Sequence, residues 1–168
     1  LPYFNHPDPS VKRKSGFLTP VYSSSDNLGR SINIPYFHVL SEKNDMTLNP
    51  RIYSENDNFI LQSEYRKVTK NSSHIADFSF NEEKNNNDGT KSHFFSNSKL
   101  NLSSEYFDQS EINLKIEKVS NDNYTKLYSL ESSSPIIKDT SVLENIIEYS
   151  GSNDYMDLKV SLESLWLV

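Results

Sequence analysis

Apolar and polar residues alternate with a period of two along most of this chain. Between residues 111 and 117, Ile112, Leu114 and Ile116 share one side, and Glu111, Asn113, Lys115 and Glu117 share the other. That is the pattern of a β-strand with one greasy and one charged face. Residues 156–163 repeat it, with Met156, Leu158, Val160 and Leu162 set against Asp157, Lys159, Ser161 and Glu163, and so do Met46, Leu48 and Ile52 against Thr47, Asn49 and Arg51. Less regular versions fall at 17–22, 29–40, 59–68, 73–80, 92–104 and 143–149. The count is about nine strands. No window shows a 3.6-residue stripe with capping signals at both ends; residues 142–149 have some helix propensity, but their alternation predicts strand.

The connections carry a second signal. Residues 81–91 and 121–140 form long polar links, whereas 70–72, 107–110 and 151–154 are tight. An up-and-down transmembrane β-barrel produces this alternation, because its periplasmic turns are short and its extracellular loops longer. Strand parity alone does not separate such a barrel from a soluble sandwich, since both give one polar and one apolar face. Length does: a tilted membrane strand needs about 9 to 11 residues, against a mode near 5 or 6 in globular sheets. The prediction is an all-β, antiparallel up-and-down meander forming part of a large transmembrane barrel. Two other all-β readings stay open: a soluble carbohydrate-binding module, which predicts a closed monomer with aromatics as sugar platforms, and a fragment of a different outer-membrane barrel such as a porin.

Composition narrows the classes further. The hydrophobic fraction is 35% and the mean hydropathy −0.68, low for a chain that must bury a conventional core. Nothing approaches the roughly 18 consecutive apolar residues of a membrane-spanning helix. A net charge of −6 argues against a nucleic-acid partner, which needs a clustered positive field; the one basic cluster, Lys12-Arg13-Lys14, reads as a solvated loop. There are no cysteines, hence no disulfide framework or thiolate chemistry. The chain shows no secretory leader, so an exported parent is expected to carry one upstream of Leu1. His6, His38, His74 and His93 lack metal-ligand spacing and read as surface or lumen residues, and no nucleophile elbow, zinc-protease motif or phosphate loop occurs. No cofactor and no enzymatic activity are predicted.

Two prolines stand out. Proline cannot donate to a ladder, so Pro20 and Pro35 in adjacent strands weaken pairing there; in ordinary sheets such prolines end an irregular lead-in or cap an edge strand. Pro50 sits on a third strand and would also interrupt a ladder. The aromatics Tyr36, Tyr53, Tyr65, Phe80, Tyr106, Phe107, Tyr149, Tyr155 and Trp166 lie near predicted strand ends. Barrels place interfacial girdles at such positions, although core packing fits them equally well. Trp166 favours the girdle, because it shares parity with Leu158, Val160 and Leu162.

The first 66 residues also carry a family resemblance. Leu1-Pro2-Tyr3-Phe4, Ser15-Gly16-Phe17-Leu18-Thr19-Pro20, Pro35-Tyr36-Phe37, Asp45-Met46-Thr47-Leu48-Asn49-Pro50 and Glu64-Tyr65-Arg66 stand in an order and spacing similar to the LptD family of lipopolysaccharide-assembly proteins. The resemblance covers the point where the family's periplasmic jelly-roll passes into its barrel. It implies that residues 1–16 are that junction and that 17–168 are the first nine strands of a barrel of about 26. It further implies a Gram-negative outer-membrane location and lipopolysaccharide as cargo. Pro20 and Pro35 would belong to a lateral gate, with an LptE-like plug lipoprotein and an LptA-like periplasmic bridge as partners. The jelly-roll, the remaining strands and the cysteines of the family's disulfides are not in this chain.

Overall fold

The structure, a computed structural model, describes residues 13–25, 28–54, 58–82, 90–130, 134–137 and 141–167. The motif Leu1-Pro2-Tyr3-Phe4, His6 and Lys12 lie outside the described residues. Eleven strands form one antiparallel sheet: β1 (Gly16–Phe17), β2 (Val21–Ser25), β3 (Gly29–Asn33), β4 (Tyr36–Ser41), β5 (Asn44–Tyr53), β6 (Phe59–Val68), β7 (Ser72–Glu82), β8 (Lys91–Asn101), β9 (Gln109–Val119), β10 (Val142–Ser152) and β11 (Asp157–Leu167). One short helix, α1 (Tyr124–Leu127), lies between β9 and β10. From β5 onward each strand pairs with the next in sequence. The sheet does not close, and no second sheet packs on it among the described residues, so the sandwich architecture of a soluble module is not formed.

The predicted nine strands are nine positions in this sheet, two of which are cut. The strand predicted over 17–22 is broken into β1 and β2, and the one over 29–40 into β3 and β4. β1 pairs with β4, β2 with β3, and both β3 and β4 pair with β5. Residues 142–152 are strand, as the alternation requires. From β5 to β11 the strands run 10 or 11 residues, the length a tilted membrane strand needs. Connections 42–43, 69–71, 102–108 and 153–156 lie at one end of the sheet, and β2, β5, β7 and β9 end at the other. The turn predicted over 107–110 extends instead over 102–108, because β8 stops at Asn101 and β9 starts at Gln109.

Register carries the parity from strand to strand. Rungs such as Asn49–Gln62–Ser79–His93 and Thr47–Glu64–Asp77–Phe95–Glu117 make one face. Rungs such as Leu48–Ser63–Phe78–Phe94 and Leu100–Ile112–Tyr149–Val160 make the other. The apolar face is the exposed one: Phe78, Phe80, Phe94, Leu100, Ile147, Val160, Leu162 and Trp166 are all open. The buried residues concentrate on the polar face. There Tyr53, Ile60 and Phe95 are covered by Tyr124, Tyr128, Leu130, Ile136 and Ile137 from the 120–141 connection, with Leu143 beside them. The core therefore lies between the polar face and the longest connection, and the apolar face has no partner among the described residues.

Candidate functional site

The first feature is the break shared by the leading strands. Pro20, exposed, separates β1 from β2; Pro35, buried, separates β3 from β4. Between Phe17 and Val21 three residues face the two between Asn33 and Tyr36, so the ladder is out of step at the break as well as short of donors. The Leu18 N–H donates to the Pro35 carbonyl (2.8 Å). In an antiparallel strand the N–H and C=O of one residue point to the same side, so the donor missing at Pro35 is missing toward the first strand. The Ile34 N–H donates to the Pro50 carbonyl (3.3 Å), which turns the ring nitrogen of Pro50 toward the same broken side. The ladder onto β5 is interrupted at Pro50, between Asn33–Arg51 and Tyr36–Leu48, whereas β5 and β6 stay in register through Pro50–Leu61.

The lead-in is tied down next to this break. Arg13 bonds the buried carboxylate of Asp45 and donates to the Glu42 carbonyl (3.0 Å). Arg66 Nε donates to the other oxygen of Asp45 (2.8 Å), and its guanidinium lies 5.9 Å from the Phe37 ring centroid. The Ser15 hydroxyl accepts from the Val39 N–H (2.9 Å), standing in for a ladder bond. The basic triplet predicted to be solvated thus supplies an anchor, because Asp45 is buried and needs cationic partners.

The second feature is a hydrogen-bonded chain across the covered face. Ser79 and Asp77 alternate on β7, and His93 stands opposite Ser79 on β8. His93 Nε2 is 2.7 Å from Asp77 Oδ1, and Ser79 Oγ is 2.6 Å from His93 Nδ1. Tyr124 Oη lies 2.8 Å from Ser79 Oγ. The network assigns the directions: Tyr124 donates to Ser79, Ser79 to His93 and His93 to Asp77, whose carboxylate also accepts from Gln62 Nε2 (3.1 and 3.2 Å). Ser, His and Asp are the residue types of a nucleophilic triad. Here Tyr124, with no exposed surface, covers the hydroxyl, so the arrangement holds the connection to the wall. Burial pushes the Tyr124 phenol up to about 12. Gln62 Nε2 also donates to the Leu130 carbonyl (3.3 Å), Arg51 Nη1 to the Tyr128 carbonyl (2.6 Å), and Asn58 Nδ2 to Tyr128 Oη (3.0 Å).

The uncovered part of the polar face is a wall of paired charges. Lys99 pairs with Glu111 (2.5 Å), and Lys115 with Glu117 (2.9 Å) and Glu144 (2.5 Å). Together with Arg66, Ile75 and Ile146 these lysines border a cavity of about 480 Å³. Every cation on it has an acidic neighbour, so it presents polar groups without a net attractive field for one sign. No cluster of His, Asp or Glu suited to hold a metal occurs among the described residues.

The predicted interfacial aromatics divide between the faces. Tyr36 lies on the apolar face with its ring 5.0 Å from Phe17, and Tyr65 lies there beside His74. Tyr149, on the same face, packs against Phe107, and Trp166 follows near the opposite strand end. Tyr155 is almost fully exposed in the β10–β11 turn. Tyr53 faces the other way: it is buried on the polar side against Tyr128, ring centroids 5.8 Å apart, so its ring meets the connection and not an interface. His93, read from sequence as a surface or lumen residue, is fully enclosed on the polar face.

An open antiparallel meander of long strands, with a polar face carrying the core and an apolar face left bare, is the wall of an incomplete β-barrel. No family model matches the chain. Curated proteins similar to it include LPS-assembly proteins LptD. The chain is 44% identical over 71 residues to that of Psychrobacter cryohalolentis, covering 42% of the chain and 7% of the relative. To that of Pseudoalteromonas translucida it is 41% identical over 70 residues, 42% of the chain and 9% of the relative. To that of Francisella tularensis subsp. holarctica it is 28% identical over 162 residues, 94% of the chain and 17% of the relative. The chain resembles an LptD-type fragment, and it spans between 7% and 17% of the length of these relatives.

Proposed function

We propose that this chain is the leading part of an outer-membrane barrel that delivers lipopolysaccharide to the outer leaflet, with its lateral gate at the first two strand positions. The reading is supported above all by the coincidence of Pro20 and Pro35 with the break in both leading strands, in a chain similar to proteins named for LPS assembly. Residues 1–16 are the junction entering from a periplasmic domain, and 17–168 the first barrel strands. The bare apolar face meets lipid. The polar face lines a wet lumen that accepts a sugar head group, while acyl chains leave past the weakened pairing. The process on this chain is passive passage, without catalysis. An LptE-like lipoprotein inside the barrel and an LptA-like bridge below it are the partners in this reading.

The test places a photo-crosslinking residue at Pro20 or Pro35 of the membrane-embedded protein, with Tyr155 in the turn as control. Lipopolysaccharide adducts at 20 and 35 but not at 155 are expected. Adducts at none of the three, with transport intact, would remove the gate from these strands.

A further inference from the structure

We propose that residues 124–130 are a brace that keeps the lumen side of this gate shut, so that the leading strands part only when the segment leaves the wall. The proposal rests on the gate reading above and adds its control. The β2–β3 hairpin joins the rest of the sheet through three rungs, Ser31–Tyr53, Ile32–Ile52 and Asn33–Arg51, and a pair of bonds between Arg30 and Ser54. Arg51 and Tyr53, which hold the hairpin, are the residues that hold the brace: Arg51 donates to the Tyr128 carbonyl, and the Tyr53 ring packs on that of Tyr128. On its other side the segment is fastened to the continuous wall, through Tyr124 to Ser79 and through the Leu130 carbonyl to Gln62. One short stretch thus clamps the anchor rungs of the hairpin to β6 and β7.

The brace also stands in the way. A cavity of about 180 Å³ separates the hairpin from Leu127, Tyr128 and Ser129, with Ser23, Ser31 and Asn33 on its sheet side. Asn33 is buried on this cavity, and its Oδ1 has no hydrogen-bond partner among the described residues. Residues 127–129 close one side of that cavity and stand over Ser31 and Asn33, the buried positions of the hairpin. The small number of anchor rungs, and their sharing of Arg51 and Tyr53 with the brace, make release of the brace the step that loosens the gate.

The test removes one hydroxyl at a time from the membrane-embedded protein with Tyr124→Phe and Tyr128→Phe, which keep both rings in the core. Backbone hydrogen exchange is read over residues 21–33 and, as internal control, over β9. Exchange over 21–33 should accelerate about 2- to 10-fold per hydroxyl, the range expected for one lost buried hydrogen bond, with β9 unchanged. Adduct yield at residue 35 should rise in the same proportion. Faster exchange in 124–130 with no change over 21–33 would overturn the brace, and so would no change in either. Adducts at 20 and 35 in the unaltered protein with unresponsive exchange would leave the gate standing without its brace. Responsive exchange with no adducts in any variant would leave the brace standing and remove the gate.

Discussion

Between β6 and β7 the ladder runs unbroken from Phe59–Glu82 to Val68–Ser73, whereas β1 meets β4 through only Gly16–Phe37 and Phe17–Tyr36. Both regions are written in the same alternating pattern, yet they are held by different means. The β6–β8 wall has full ladders on both sides and a hydrophobic cluster clamped over its polar face. The leading corner has short ladders, donors removed by proline, and an ion-paired lead-in. A local opening needs free energy only for the contacts it breaks, so the corner can part while the wall stays whole.

The largest test of that contrast is Phe95→Ala. Phe95 is 1% exposed beneath the 120–141 connection, and truncating a buried phenylalanine costs about 3–5 kcal/mol. The urea midpoint should fall accordingly, and if it does not, the covered wall is not where stability resides. Next comes pH. The folded-state value of Tyr124 lies above its unfolded value of 10.0, at about 12. Its contribution is therefore complete below pH 10 and is lost as pH climbs toward 12, at about 2 kcal/mol by pH 12. Tyrosine absorbance and protease access to the 120–141 connection should change together over that window, and Tyr124→Phe should remove that share of the dependence, leaving the part carried by the ion-paired Lys115 and Lys159. Pro35→Ala sharpens the contrast from the corner. It restores an N–H aimed at the first strand and should add about 0.5–1.5 kcal/mol of pairing, seen as slower exchange at residues 16–22. Arg13→Ala should matter least, about 0.5 kcal/mol for a half-exposed ion pair, because Arg66 still partners Asp45. Its signature is faster proteolysis ahead of Gly16 with an unchanged urea midpoint.

The same contrast explains what the sequence discloses. Strands from β5 onward were legible because side-chain direction in a strand depends only on parity, and the parity of 46–52, 111–117 and 156–163 is clean. The cuts at Pro20 and Pro35 were half legible: proline announces a missing donor, but which neighbour loses it depends on register, and register is a property of two strands. Pro50 shows this directly, since its ring nitrogen points to the already broken side. Asp77 and Ser79 could be placed on one face by their spacing, while their link to His93 required the β7–β8 pairing. The 121–140 connection reads as polar, yet it holds Tyr124, Leu127, Tyr128, Leu130, Ile136 and Ile137, an apolar content that a solvated loop does not need. That excess was the available signal for a connection that folds back onto the sheet.

The shared orientation of Pro35 and Pro50 has a mechanical consequence. A load that peels the first strand away meets its hydrogen bonds one after another, and at Pro35 it meets a stretch with fewer of them, as a tear meets a perforated line; Pro50 thins the ladder behind it in the same way. Beyond Pro50 the next ladder, β5 to β6, is continuous from Asn44–Lys67 to Ile52–Phe59. The tear is steered along the perforation and arrested there, so the sheet yields at a chosen corner without unravelling.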